Sequence, residues 1–88
     1  MEIKDVISDP FRFYDMMKED GIDFNITEGA SRIVMEPIKF NKVDYNAAYW
    51  SMVYKFDVSF DAAKTFIDAI CLGGWDYGIK IMEQEGYV

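Results

Sequence analysis

Hydrophobic and polar positions change period once, without a break, between Ala48 and Leu72. Residues 48–58 alternate. Ala48, Trp50, Met52, Tyr54, Phe56 and Val58 fall on one side of a pleated chain, and Tyr49, Ser51, Val53, Lys55 and Asp57 on the other. Period-two patterning of this length predicts a long strand with one heavily apolar face. The next residues, SFDAAKTFIDAICL, take a helical period with no loop between. Ser59 is a suitable N-cap for that helix. Phe60, Ala63, Phe66, Ile67 and Ile70 would cover the Trp50 face of the strand, with Asp61, Lys64, Thr65 and Asp68 on the wet side. Asp61 and Lys64 are spaced to pair at i,i+3.

The remaining elements are read from the same signals. Asp9 before Pro10 is an N-cap followed by proline at the first helical position, and FRFYDMMKED continues as a helix with Phe13, Tyr14 and Met17 on one stripe. Gly21 ends it, with Ile22 placed to fold back on Met17. IDFNI and SRIVMEPIKF read as two further strands, separated by the turn TEGAS. Pro37 marks a bulge or an edge in the second. NKVDYNA is a polar connection. Gly73-Gly74 stops the helix that begins after Ser59. WDYGIKIMEQEGYV fits helix or strand, and Met-Glu-Gln-Glu before Gly86 favours helix. The expected fold is therefore α+β, a three-stranded antiparallel sheet with helices packed on it, in the order αβββαα. At 88 residues it forms a single domain, 1–88.

Composition adds a strong aromatic complement (six Tyr, seven Phe and two Trp) and an acidic balance. Nine bases face sixteen acids, for a net charge of −7. Residues 1–23 carry seven acids against three bases and residues 59–88 five against two, while residues 24–58 balance. Such a surface disfavours direct contact with nucleic acid or anionic membrane, both of which require Lys and Arg. It suits solubility or a basic protein partner. No apolar run is long enough to span a membrane, the first residues lack the character of an export signal, and Cys71 has no second cysteine to pair with. These features are those of a cytoplasmic protein.

Candidate chemistry is sparse. With no histidine, the commonest general base and metal ligand is missing, as are Ser-His and Cys-His nucleophile pairs. Cys71 on an apolar helix face reads as a small core residue. Gly73-Gly74 lacks the Lys and Ser/Thr of a phosphate loop. The acids around Gly21 lack the alternating oxygens of a calcium loop. The chain reads as a non-enzyme with no cofactor and no metal. Trp50, Tyr54 and Phe56 could resemble base-stacking residues, but without accompanying basic residues they read as core. What remains is an acidic surface around Asp15, Glu19, Asp20 and Asp23, and the polar connection containing Asp44, Tyr45 and Asn46. Glu19 and Asp20 sit at the helix end where the dipole prefers cations.

TFIDAICLGGW resembles the helix-to-GW junction of small acidic phage-encoded anti-CRISPR proteins that inhibit Cas nucleases, with Phe66, Ile67, Ala69, Gly74 and Trp75 in step when one residue is inserted. The resemblance covers about eleven residues. It implies an αβββαα protein that mimics DNA by covering the basic surface where the nuclease reads its target duplex. That family carries a dense acidic run before its third strand, where NKVDYNA offers Asp44 alone, so its contact residues are not transferred. The expected function is a non-enzymatic inhibitor of phage or mobile-element origin, acting in host cytoplasm. Its partner-binding residues would be Asp15, Glu19, Asp20, Asp23, Asp44, Tyr45 and Asn46, and its partner a basic surface of a Cas nuclease or related complex. The alternative is a structural or assembly module, monomeric or homodimeric, that uses the Tyr49–Val53 face of the sheet.

Overall fold

The computed structural model describes residues 3–5, 9–22 and 45–88. They form a short 3-10 helix (Ile3–Asp5) and four α-helices: α1 (Pro10–Lys18), α2 (Tyr45–Phe56), α3 (Phe60–Gly73) and α4 (Trp75–Gln84). There is no strand among the described residues. This corrects the α+β expectation. The longest expected strand, residues 48–58, is instead α2 and the turn that follows it, and the core among the described residues is built by helices alone. The other two expected strands, 22–26 and 31–40, lie outside the described residues apart from Ile22. That residue closes the turn after α1.

The physical reason lies in the composition of the stretch. Most of its positions are apolar or aromatic, so period two and period 3.6 both fit it. The buried positions are Ala48, Tyr49, Ser51, Met52 and Phe56, the set that one face of a helix presents. Among the twelve residues of α2 only Val53 is β-branched, while Ala47, Ala48, Met52 and Lys55 are good helix formers. Asp57 then takes φ +54°, the left-handed conformation that Asp tolerates better than most residues, and the chain turns into α3.

Local signals set the helix ends. Asp9 accepts a hydrogen bond from the Arg12 backbone N–H at 3.2 Å, with Pro10 at the first helical position. Ser59 Oγ accepts from the Ala62 N–H at 3.1 Å. At the end of α1 the Gly21 N–H donates to the Lys18 carbonyl (2.9 Å) and the Ile22 N–H to the Met17 carbonyl (3.2 Å), the two bonds of a Schellman stop. Gly21 supplies the positive φ of 81°, and Ile22 is buried. Gly74 is both the last cap of α3 and the first of α4, at φ 92°, ψ −178°, a backbone region essentially reserved for glycine. α3 thus runs through Gly73, and residues 75–84 are helical.

One ring from each helix meets at Phe13. Around it are Phe56 (5.3 Å, stacked), Phe66 (5.5 Å, edge-on) and Trp75 (5.3 Å), with Tyr14 beside it at 5.6 Å. Met17, Met52, Ile67, Ile70 and Met82 complete a fully buried layer. α3 and α4 form the most extensive helix pair. Gly78 permits this: a Cβ there would lie 2.5 Å from Ile70 Cγ2 and 3.0 Å from the Phe66 ring.

Candidate functional site

The expected partner-binding residues divide between places that the fold keeps apart. Asp15 is exposed on α1. Glu19 and Asp20 lie in the turn at its end and face α2. Ser51 donates its hydroxyl to Asp20 Oδ2 at 2.6 Å, and Lys55 Nζ lies 3.4 Å from Glu19 Oε1 and 3.8 Å from Asp20 Oδ1. At this end of α1 the helix dipole thus meets Lys18 of its own last turn and a second cation from α2, 36 residues away from Glu19 in sequence. The helical period of α2 puts Ser51 and Lys55 on one side, a turn apart, opposite these carboxylates.

Tyr45 and Asn46 are in the first turn of α2 and not in a polar loop. Lys55 lies ten positions further on, so Tyr45 is about 15 Å from the acidic corner along the helix axis. The structure does not bring these groups into one patch. Asp23 and Asp44 lie outside the described residues.

At the Tyr45 end, α2 and α3 enclose a shallow, open depression of about 390 Å³ lined by Tyr45, Tyr49, Asp68, Cys71 and Leu72. Tyr49 donates its hydroxyl to Asp68 Oδ1. Lys64 Nζ lies 2.8 Å from Asp68 Oδ2 and 5.4 Å from the centre of the Tyr49 ring. Lys64 thus pairs with Asp68 at i,i+4, and not with Asp61 as its spacing suggested. Asp68 offers a carboxylate already oriented by the phenol, whereas Asp61 stays in the first turn of α3, where the dipole favours an acid. Burial, followed by the hydrogen bond to Asp68 and the charge of that residue, pushes the Tyr49 phenol well above its ordinary value.

Cys71 sits at the edge of the core. Burial is the main cause that raises its thiol from the ordinary 9.0 to about 11, and the charge of Asp68 adds to it, against a hydrogen bond from Tyr45 that lowers it. At pH 8 only about one thiol in a thousand is then thiolate, so the residue is not a nucleophile near neutrality. Iodoacetamide labelling of the folded protein is expected to rise about tenfold per pH unit from pH 8 until close to pH 11. A rate that levels off near pH 8 or 9 would show an ordinary thiol. Because the folded state favours the protonated form, the contribution of Cys71 to stability is complete below the ordinary value of 9.0 and is lost as pH rises towards about 11.

The side of α2 away from the core carries what sequence reasoning placed inside. Trp50 and Tyr54 were assigned to the buried strand face; in the helix they are 47 % and 80 % exposed. Tyr49, assigned to the opposite face, is buried, and Val53 is half-buried. The i,i+4 spacing of Trp50 and Tyr54 was the available signal, and it carries weight only once the segment is known to be helical. Leu72, 70 % exposed on α3, was also missed.

Among the described residues no group of three or more potential ligands could hold a metal ion, and no helix is long and apolar enough to cross a membrane. Phe66, Ile67, Ala69 and Trp75, which carry the anti-CRISPR resemblance, are all buried, Phe66 against Trp75 across the α3–α4 contact, with Gly74 at the junction. They speak to packing and not to a partner surface. Comparison with protein-family models, curated proteins and solved structures finds no match to this chain.

Proposed function

We propose that this protein is a non-enzymatic binding module that occupies a basic, nucleic-acid-binding surface of a partner and thereby excludes the nucleic acid. The observation that supports this reading is the α1–α2 corner. Glu19 and Asp20 are held by Ser51 and Lys55, and Asp15 is exposed one turn earlier on α1. Carboxylates already oriented by a neighbouring helix lose less freedom on meeting a guanidinium or ammonium group than free side chains do. The net charge of −7 favours approach to such a surface. Cas nuclease complexes are the first partners to test, because the Thr65–Trp75 stretch resembles their phage-encoded inhibitors. That resemblance now rests on this stretch alone, since the element order expected with it is not the one in the structure.

The test is competition. A purified Cas nuclease–guide complex is incubated with target DNA and increasing amounts of this protein, and bound DNA is measured by gel shift. DNA binding is expected to fall at about 50 mM salt and to recover towards about 200 mM as the acidic contacts are screened. An Asp15→Asn/Glu19→Gln variant should compete about tenfold less well. Undiminished DNA binding at low salt excludes this class of partner. Competition that is indifferent to both salt and the variant excludes the acidic mechanism.

A further inference from the structure

An aromatic strip leads from the core edge, at Tyr49 and Phe60, out to Trp50 and Tyr54 on the exposed face of α2. Five rings follow one another across α2 and the start of α3. Tyr45 lies 6.3 Å from Tyr49, Tyr49 5.6 Å from Phe60, Phe60 4.8 Å from Trp50, and Trp50 6.1 Å from Tyr54, centre to centre. Trp50 and Tyr54 are stacked, with their planes 30° apart. Beyond them in sequence come two exposed carboxylates, Asp57 three positions after Tyr54 and Asp61 next to Phe60. Among the described residues neither takes part in an ion pair. Phe13, Tyr14, Phe56, Phe66 and Trp75 are buried, whereas Phe11, Tyr77 and Tyr87 are exposed to a lesser degree than Trp50 and Tyr54. A tryptophan and a tyrosine left in water side by side have the composition of a binding hot spot.

We propose that the strip formed by Trp50, Tyr54 and Phe60, edged by Asp57 and Asp61, is a docking surface for an arginine-bearing segment of a partner protein. Aromatic faces attract cations. A guanidinium adds planar stacking on the ring and a forked hydrogen bond to a carboxylate, which an ammonium cannot combine. The strip offers exposed rings, and Lys64, over the Tyr49 ring, is held by Asp68. Two exposed acids follow Trp50 and Tyr54 in the chain, and the net charge of −7 complements such a segment. The same charge works against the other evident occupant, a second copy, because each would bring −7 to the contact. The inference rests on the proposed preference for a basic partner, and it adds a contact on the outer face of α2 to that of the α1–α2 corner.

The probes are two synthetic peptides, octa-arginine and octa-lysine. Trp75 is 2 % exposed, so a change in tryptophan emission on adding peptide reports Trp50. At about 50 mM salt octa-arginine is expected to bind at least about fivefold more tightly than octa-lysine. A Trp50→Ala/Tyr54→Ala variant should lose about tenfold or more in affinity for octa-arginine. Tyr54→Arg, at a position 80 % exposed, repeats the test without touching the core and should also weaken binding. Asp57→Asn/Asp61→Asn should cost severalfold, whereas Glu83→Gln/Glu85→Gln, which removes the same charge from the exposed end of α4, should stay within about twofold. Equal affinity for the two peptides, or unchanged affinity in the aromatic variants, overturns the proposal. Loss of binding in the Asp15→Asn/Glu19→Gln variant alone overturns it and leaves the proposed function standing. Failure of both peptides to bind overturns both. A dimer in sedimentation that Tyr54→Arg dissociates would assign the strip to self-association and overturn the arginine assignment.

Discussion

Phe13→Ala is expected to remove most of the stability of this protein. Phe13 is fully buried and touches rings from all three other helices. Deleting a buried Phe side chain costs about 3–5 kcal/mol, because the lost transfer energy is joined by a cavity that the surroundings only partly fill. A domain of this size has roughly 5 kcal/mol in total, so urea unfolding should begin with little or no folded baseline. Phe13→Leu keeps much of the volume and should remain folded, with a loss of about 1–2 kcal/mol. The site is also where the helices are coupled: among the described residues, Phe13 is the one ring in contact with Phe56, Phe66 and Trp75 together. A Phe13→Ala protein that unfolds within about 1 kcal/mol of the parent would mean that the four helices do not share one core.

Gly78→Ala is the second, and here the sign is the test. In an exposed helix this substitution stabilises by about 1 kcal/mol, through helix propensity and the entropy of the unfolded chain. Gly78 is instead pressed against α3. The added Cβ would stand 2.5 Å from Ile70 Cγ2 and 3.0 Å from Phe66. Cγ2 branches from the Ile70 Cβ and belongs to a residue that is fully buried, so it cannot swing aside as the tip of a long side chain could. Forcing one carbon into such a contact costs about 1–3 kcal/mol. The net expectation is a loss of roughly 1 kcal/mol, or a midpoint about 5 °C lower in a thermal melt. Gly78→Val should be clearly worse. A rise in midpoint for Gly78→Ala would show that α3 and α4 stand further apart.

The parts of this fold legible in sequence were those written locally. Asp9-Pro10, Gly21-Ile22, Ser59 and the Gly73-Gly74 pair each act on backbone groups within a few residues of themselves. Their effect does not depend on what lies across the core. The stripes of α1 and α3 were legible too, since each alternates well enough between apolar and polar positions to select one period. α2 was not. Its near-continuous apolar run satisfies a strand and a helix equally, and the choice falls to what packs on either side. The candidate site shows the same division. That Glu19 and Asp20 are oddly placed for a helix end could be seen from the chain, but that Lys55 compensates them could not. Whether Tyr45 and Asn46 share a patch with Glu19 and Asp20 could not be read from the chain, and the length of α2 keeps them apart.

By itself, the sequence determined the charge balance, the helix boundaries around α1 and α3, and the absence of histidine. Each is a property of residues or of their near neighbours. Only the tertiary structure decided that residues 45–56 form a helix, that Phe13 lies where four helices meet, and that Trp50 and Tyr54 face outward. Burial is decided by neighbours distant in sequence, so one apolar string can face inward as a strand or divide its aromatics between core and solvent as a helix. Here α1 and α3 flank α2 on its Ser51–Lys55 and Tyr49 sides; Trp50 meets α3 only at Phe60 and stays half exposed, and Tyr54 faces water.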